Sequence, residues 1–162
     1  FLTTPDKASL YIYRNESFGS AIPMTVSING KTLGQTAAKT YFHLTLPPGQ
    51  YNIESHAENL INLLLTMESG NNYFVWQEVK MGMNIARCLL QQVDDTTGRA
   101  GVMESSMIAT SVSENHISPL DAPVSKNDSV SQKLRELHNL RKDGIITEDE
   151  FQKKKQQLLE KL

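Results

Sequence analysis

The sequence has little cysteine, little net charge and no long apolar run. Its single cysteine, Cys88, cannot form an internal disulfide and cannot by itself build a thiolate metal site. Sixteen basic and eighteen acidic side chains leave a formal net charge of -2, which argues against a nucleic-acid-binding protein that relies on overall charge. No segment approaches the roughly 18 consecutive apolar residues of a transmembrane helix. What remains is a chain of 162 residues, 39% of them hydrophobic, which suffices for a packed core.

The composition changes along the chain and predicts three parts. Before about residue 110, β-branched and aromatic residues alternate with polar ones, which is typical of strands. From Ser111 to Ser131 the sequence is rich in Ser, Asn, Asp and Pro, which favours an extended linker. Lys, Glu, Gln and Leu then dominate and favour helix. We therefore predict a β-sandwich domain over residues 1–110, a flexible linker over 111–129 and a helical hairpin over 130–162.

The first part is predicted to be an antiparallel β-sandwich, so the fold class is mainly β. Asn29-Gly30 is suited to a tight hairpin turn, Pro47-Pro48-Gly49 ends a strand, and Glu68–Asn72 is predicted to join a second hairpin. A short helix is expected within Thr97–Met107. The predicted strands are Ala8–Arg14, Met24–Ile28, Lys31–Gln35, Lys39–Leu46, Gln50–His56, Leu60–Met67, Tyr73–Lys80 and Asn84–Val93. The predicted core residues are Leu10, Ile12, Val26, Ile28, Phe42, Leu44, Ile53, Val75 and Val79.

The third part is predicted to be a two-helix hairpin that exposes an apolar stripe. Gly144 is suited to end the first helix, and Thr147 with Glu150 forms the pattern of a capping box at the start of the second. Ile146 and Phe151 are spaced as a hydrophobic staple. A hairpin this short rarely folds alone, so its stripe needs another surface. The predicted protein-contact residues are Leu134, Leu137, Leu140, Phe151, Leu158, Leu159 and Leu162.

No set of residues in the sequence has the pattern of a known catalytic or metal-binding site. Cys88 lies inside a predicted strand, with Arg87 on the opposite face, which favours a buried structural thiol over a nucleophile. Asp143 to Glu150 imitates half of a calcium loop, but Arg141 would occupy a ligand position, so we interpret this segment as a capped helix turn. Asp94-Asp95 is interpreted as a turn. We expect no cofactor, no metal and no enzymatic activity.

Histidines and aromatic residues remain as possible binding groups. No two of the four histidines have the close spacing of metal ligands, and His43, which alternates with Phe42 and Leu44, is predicted to face solvent. The segment Tyr73 to Trp76 could place rings on a sheet face, where they would bind sugar or peptide. We favour packing in the core, because Tyr73 and Phe74 point to opposite faces of a strand.

Residues from about 8 to 106 resemble the bacterial DUF2846 family, whose function is unknown. The resemblance rests on the order and spacing of short segments. It implies a transthyretin-like or carboxypeptidase-regulatory-like sandwich in an envelope lipoprotein, and it transfers no catalytic residue. The segments are Ala8–Arg14, Val26–Gly30, Tyr41-Phe42, Leu46–Tyr51, Gly70–Phe74 and Gln77–Gly82.

The tail from Val130 to Leu162 is similar to the SHOCT module, a short C-terminal helical domain. The matching segments are Leu134–Leu140, Asp143–Phe151 and Lys154–Leu159. Modules of this kind are thought to mediate assembly or partner contacts. The resemblance therefore implies a protein partner, either a second copy or another envelope protein, bound through the hairpin.

Together these features predict a non-enzymatic bacterial envelope lipoprotein that acts as a scaffold component of a multi-protein assembly. The DUF2846 resemblance implies a lipid-bearing cysteine upstream of Phe1, anchorage to a membrane, and a periplasmic location, with the outer membrane preferred. No nucleic-acid partner is expected. The alternative is a periplasmic binding module that holds a small ligand, glycan or peptide on the sandwich. An enzyme ranks last, because no nucleophile and base are paired in the sequence.

Overall fold

Most of the described chain consists of β-strands. We describe it from a computed structural model of the protein. The structure describes residues 1–17, 22–81 and 86–120, and residues 151, 152, 154 and 156. The chain divides into two units, Phe1–Ala122 and Pro123–Leu162. The strands are β1 (Ala8–Arg14), β2 (Met24–Ile28), β3 (Lys31–Thr36), β4 (Thr40–Leu46), β5 (Gly49–His56), β6 (Leu60–Met67), β7 (Asn72–Met81), β8 (Ala86–Val93) and β9 (Ser106–Met107). The helix α1 (Asp95–Met103) and a 3-10 turn (Glu114–His116) follow β8.

The strands form two sheets, which confirms the mainly β sandwich. One sheet has the order β8-β7-β1-β4-β9 and the other has the order β3-β2-β5-β6. Most neighbouring strands are antiparallel, while β1 with β7 and β4 with β9 are parallel pairs. The apolar residues between the sheets include every predicted core residue, and each of these is buried. The period-two pattern therefore identified the inward-facing side of β1, β2, β4, β5 and β7.

The two predicted hairpin turns have different outcomes. Asn29 and Gly30 have φ of 50° and 74°, as a tight turn between paired strands requires, and β2 pairs with β3. The prediction that the turn after β6 joins a hairpin is wrong. It carries the chain from the four-stranded sheet to β7 in the five-stranded sheet, so β6 and β7 are not partners. Alternation predicts a strand and its buried face, but it does not say which sheet the strand joins.

A polar cluster occupies part of the layer between the sheets. Thr36 donates from Oγ1 to Oε1 of Gln77 over 2.5 Å, and Gln77 donates from Nε2 to Oγ of Ser55 over 2.6 Å. All three side chains are buried. Arg14 is also fully buried and donates from Nη1 to the carbonyl of Ile22 over 2.7 Å. These hydrogen bonds give partners to polar groups whose burial without a partner would destabilise the folded protein.

Helix α1 adds a third layer on the outer face of the five-stranded sheet, where it packs on β1 and β7. Asp94 caps it, accepting from the backbone N–H of Thr97 over 3.0 Å. Asp94-Asp95 is thus a helix start rather than a free turn. The predicted helix exists, but it ends at Met103, because Ser106 and Met107 pair with β4 as a strand.

The first residues of the predicted linker pack against the sandwich. Ser111 donates its N–H to the carbonyl of Leu33 in β3 over 2.6 Å, and Glu114 accepts from the N–H of Thr45 in β4 over 2.8 Å. Ile117 is buried in the main core. The segment therefore hydrogen-bonds to one strand of each sheet, although its polar composition is typical of a linker. The rest of the predicted linker, residues 121–129, lies outside the described residues.

Candidate functional site

A row of aromatic rings crosses three neighbouring strands on the outer face of the five-stranded sheet. Tyr11 of β1 lies between Phe74 of β7 and His43 of β4, and each is its direct partner in the strand register. The Tyr11 and Phe74 ring centroids are 5.1 Å apart, and those of Tyr11 and His43 are 4.5 Å apart, both in stacked geometry. The spacing of paired strands, about 4.8 Å, brings the rings into contact. Stacking thus follows from placing one ring on each strand.

His43 was predicted to face solvent, and this is wrong. Its side chain does point away from Phe42 and Leu44, but it is half-buried, because the outer face of the sheet is covered too. Its Nε2 atom is buried and has no hydrogen-bond partner among the described residues. Burial lowers the pKa of His43 below its ordinary value of 6.5, while the charge of Glu114 opposes this shift. The imidazole is therefore neutral at pH 7.

A cleft of about 320 Å³ lies beside this row, between the sheet and the end of α1. Tyr11 and Val102 are buried, Tyr41 and His43 are half-buried, and Met103 is 78% exposed at the rim. Burial, with the nearby Tyr41 hydroxyl, raises the pKa of Tyr11, so its ring stays neutral. The cleft is therefore aromatic and uncharged. The residues that line it are Phe1, Tyr11, Tyr41, His43, Val102, Met103 and Ser105.

The segment that follows Asn72 supplies rings to both faces of the sheet, as predicted. Tyr73 packs against the main core, and Phe74, which is 1% exposed, packs in the outer aromatic cluster. Trp76 is partly buried against the same outer cluster. The prediction that Phe74 packs in the interior is thus confirmed. It packs in the outer aromatic cluster, however, and the sequence did not predict that second buried layer. The tyrosines that alternate with Leu10 and Ile12 in β1 were the available signal for that layer.

Cys88 is a buried structural residue, as predicted. Its Sγ donates to the carbonyl of Ser55 over 3.4 Å. Its backbone N–H donates to Oδ1 of Asn59 over 2.8 Å, and its carbonyl accepts from Nδ2 of Asn59 over 3.0 Å. Asn59 thereby covers part of the β8 edge, where an unpaired strand would otherwise be open. A thiol in this setting is packed rather than poised for attack.

The acidic pair at the start of α1 is already engaged. Asp94 accepts from both the N–H and the hydroxyl of Thr97, and these hydrogen bonds lower the pKa of Asp94. Asp95 pairs with Arg99 across one helix turn at 2.6 Å. A polar cleft of about 470 Å³ runs past these residues. Within the described part of the chain, no group of three or more His, Cys, Asp or Glu side chains is arranged to hold a metal ion.

Comparison with known proteins places this architecture in a family. A family model described as a protein of unknown function (DUF2846) matches residues 4–88, which is more than half of the chain. The chain belongs to the DUF2846 family. An uncharacterized protein of Haemophilus influenzae is 31% identical over 107 residues, and the match covers 64% of this chain and 64% of that relative. The predicted family is thus confirmed, and the relative's name assigns no activity.

The C-terminal unit of this DUF2846 protein matches a second family model, the short C-terminal domain SHOCT, over residues 132–159. Residues 151, 152, 154 and 156 are helical, and the Phe151 side chain is buried. Gln152, Lys154 and Gln156 are exposed. Among the described residues, no helix is both long and apolar enough to cross a membrane. The other predicted contact residues, Leu134, Leu137, Leu140, Leu158, Leu159 and Leu162, lie outside the described residues.

We expect the stability of this DUF2846 protein to fall as the pH drops below about 6.5, partly through His43. Its pKa is lower in the folded protein than the ordinary 6.5, so below that pH the unfolded chain binds a proton more readily. The stabilisation is present above pH 6.5 and is lost as the pH falls through the folded pKa. Urea unfolding at pH 7.5 and pH 5.5 should show a smaller pH effect in His43→Gln than in the wild type. An identical pH effect in both proteins would show that His43 does not contribute.

Proposed function

We propose that this protein is a non-enzymatic structural component of a multi-protein assembly in the bacterial envelope, and that its C-terminal unit binds another protein chain. The observation that carries the proposal is the pairing of a β-sandwich unit with a separate C-terminal unit that matches SHOCT. The sequence of that unit spaces its leucines and Phe151 as an apolar stripe. A stripe of this kind is suited to a helix-in-groove contact with a partner.

The sandwich supports this role because several of its polar and reactive groups are engaged in the packing of the fold. The inner polar side chains Thr36, Ser55 and Gln77 hydrogen-bond with one another. The thiol of Cys88 hydrogen-bonds to Ser55 and Asn59, and the Asp94 carboxylate caps helix α1. A body whose inner polar side chains are engaged in this way is well suited to present a docking module.

We further propose that the protein is an exported lipoprotein, held at a membrane by acyl chains on a cysteine upstream of Phe1, with the outer membrane as the preferred location. The proposal follows from the family resemblance given above. Metabolic labelling of the natural full-length protein with an alkyne palmitate analogue, followed by fractionation, tests this part separately. Labelling that disappears when the upstream cysteine is replaced by serine supports the anchor. A soluble, unlabelled protein overturns it.

Replacing both Leu137 and Phe151 by aspartate should reduce association with the partner at least tenfold while the sandwich stays folded. Each aspartate puts a charge where an apolar side chain would be buried, and burying one such side chain is worth roughly 1.5–3 kcal/mol. Self-association is measured by light scattering after size exclusion, and association with other proteins by affinity purification from cells. Because the Phe151 side chain is already buried in the chain, circular dichroism must show that both the strands of the sandwich and the C-terminal helix remain folded.

The matched control for this double variant changes Gln156 and Gln157 to aspartate. Gln156 is exposed, and helical spacing turns both positions away from the face of Phe151, Leu158 and Leu162, so the control adds the same two charges outside the centre of the predicted stripe. It should keep both the partners and the oligomeric state. If the stripe variant behaves like this control, the C-terminal unit is not the contact.

A further inference from the structure

We propose that the aromatic cleft beside α1 is a second protein-contact site, which takes one uncharged aromatic side chain of a partner polypeptide. The proposal rests on the assembly role above, but it concerns the sandwich and not the C-terminal unit. The site consists of the cleft lined by Tyr11, Tyr41, His43 and Val102, with Met103 at its rim.

The size of the cleft matches a single side chain. A volume of about 320 Å³ is at the low end of the range for small-ligand sites, so it holds one ring system but not an extended molecule. Binding energy at protein interfaces is concentrated in a few aromatic anchors that fill pockets of this kind.

The charge of the cleft selects a neutral occupant. None of its lining side chains is an acid, a lysine or an arginine. His43 is neutral at pH 7 because burial lowers its pKa, and Tyr11 is neutral because burial raises its pKa. A charged side chain would lose its hydration in the cleft without gaining an oppositely charged partner among the lining side chains.

The rings of the cleft favour an aromatic occupant. Tyr11 stacks on His43, and its centroid is 6.3 Å from that of Tyr41, with the two planes tilted by 44°. Tyr11 is buried beneath these contacts, whereas Tyr41 and His43 are only half-buried, so a further ring can pack against the open parts of their rings at the usual 4.5–7 Å separation between centroids. The hydroxyls of Tyr11 and Tyr41 are the available partners for an indole N–H.

The rim of the cleft favours protein over sugar. Met103 is 78% exposed, and Met107, which is 66% exposed, is the register partner of Tyr41 on the same face of the sheet. Flexible thioethers adapt to apolar partners and contact aromatic rings favourably. A sugar would instead need carboxylate or amide groups to bind its neighbouring hydroxyls, and the lining residues include neither.

The test is a titration of the full chain, labelled with carbon-13 at its methionine methyl groups, with N-acetyl-tryptophanamide. The methyl signals of Met103 and Met107 should shift with a dissociation constant on the order of 1 mM, as expected for one small anchor without its polypeptide. Met24 and Met67 are buried in the interior and should not shift, so they serve as internal controls. Substituting each methionine by leucine assigns its signal.

Variants and competing probes decide the outcome. Met103→Glu should weaken the binding at least tenfold, whereas Leu64→Glu, at an exposed leucine of the other sheet, should leave it unchanged. Methyl glucoside and N-acetyl-aspartate amide should cause no shift. The proposal is overturned if tryptophanamide shifts no rim methionine, if the glucoside shifts them instead, or if Leu64→Glu weakens the binding as much as Met103→Glu. Any of these results would leave the test of the C-terminal contact unaffected.

Discussion

Replacing Gln77 by alanine is expected to destabilise the protein by about 3–4 kcal/mol. The substitution leaves the hydroxyls of Thr36 and Ser55 without their common partner inside the sandwich, which costs about 1–3 kcal/mol, and it also opens a cavity. The measurement is urea unfolding of the whole chain, followed by circular dichroism and by Trp76 fluorescence.

Two further variants separate the polar contribution from the cavity. Gln77→Met keeps most of the volume but removes the hydrogen bonds, so it should still lose about 1–3 kcal/mol. Gln92→Ala truncates an exposed glutamine on β8 and should change stability by less than about 0.5 kcal/mol. If Gln77→Met is as stable as the wild type, the polar cluster does not stabilise the core.

Replacing Gly101 by alanine is expected to destabilise the protein by about 2 kcal/mol, although alanine favours helix. A Cβ at this position would lie closer than 3.0 Å to the ring of Tyr13, and one at Gly98 would meet the ring of Phe74 equally closely. The two glycines thus let α1 approach the sheet. Overpacking costs about 1–3 kcal/mol or more, whereas the gain in helix propensity is at most about 1 kcal/mol.

The control for helix propensity is Thr96→Ala, which lies on the exposed side of α1 and should be neutral or slightly stabilising. A double-mutant cycle of Gly98→Ala with Phe74→Leu tests the contact itself. The smaller leucine should recover part of the loss caused by the extra methyl group. If Gly98→Ala and Gly101→Ala both stabilise the protein, α1 does not pack on the sheet as described.

Local sequence signals predicted the strands well, because period-two alternation and turn residues act within a few positions. Every strand from β1 to β8 was predicted within about two residues, and Asn29-Gly30 identified its hairpin. The inner core followed directly, since Leu10 and Ile12 alternate with tyrosines. The shared feature of these successes is that each pattern lies within a single strand or turn.

The failures concern features that depend on the third layer and on long-range pairing. His43 was predicted to be exposed because alternation identifies two faces but not whether both are covered. All seven residues of β1 are buried, since α1 covers the side opposite the core. The change of sheet after β6 and the packing of Ile117 depend equally on partners far away in the chain. Glycines spaced three apart in α1, near tyrosine-bearing strands, were the overlooked signal for close helix packing.

In-cell photo-crosslinking tests whether the C-terminal unit makes the contact with a partner chain. A photo-reactive phenylalanine is placed at Gln156 in the C-terminal helix, and as a control at Leu64 in the sandwich, both of which are exposed. The adducts are identified by mass spectrometry. We expect one defined protein adduct from position 156, none from position 64, and loss of the adduct in the Leu137→Asp, Phe151→Asp background. The absence of an adduct from position 156, or an adduct that survives the double substitution, would show that the C-terminal unit does not make this contact.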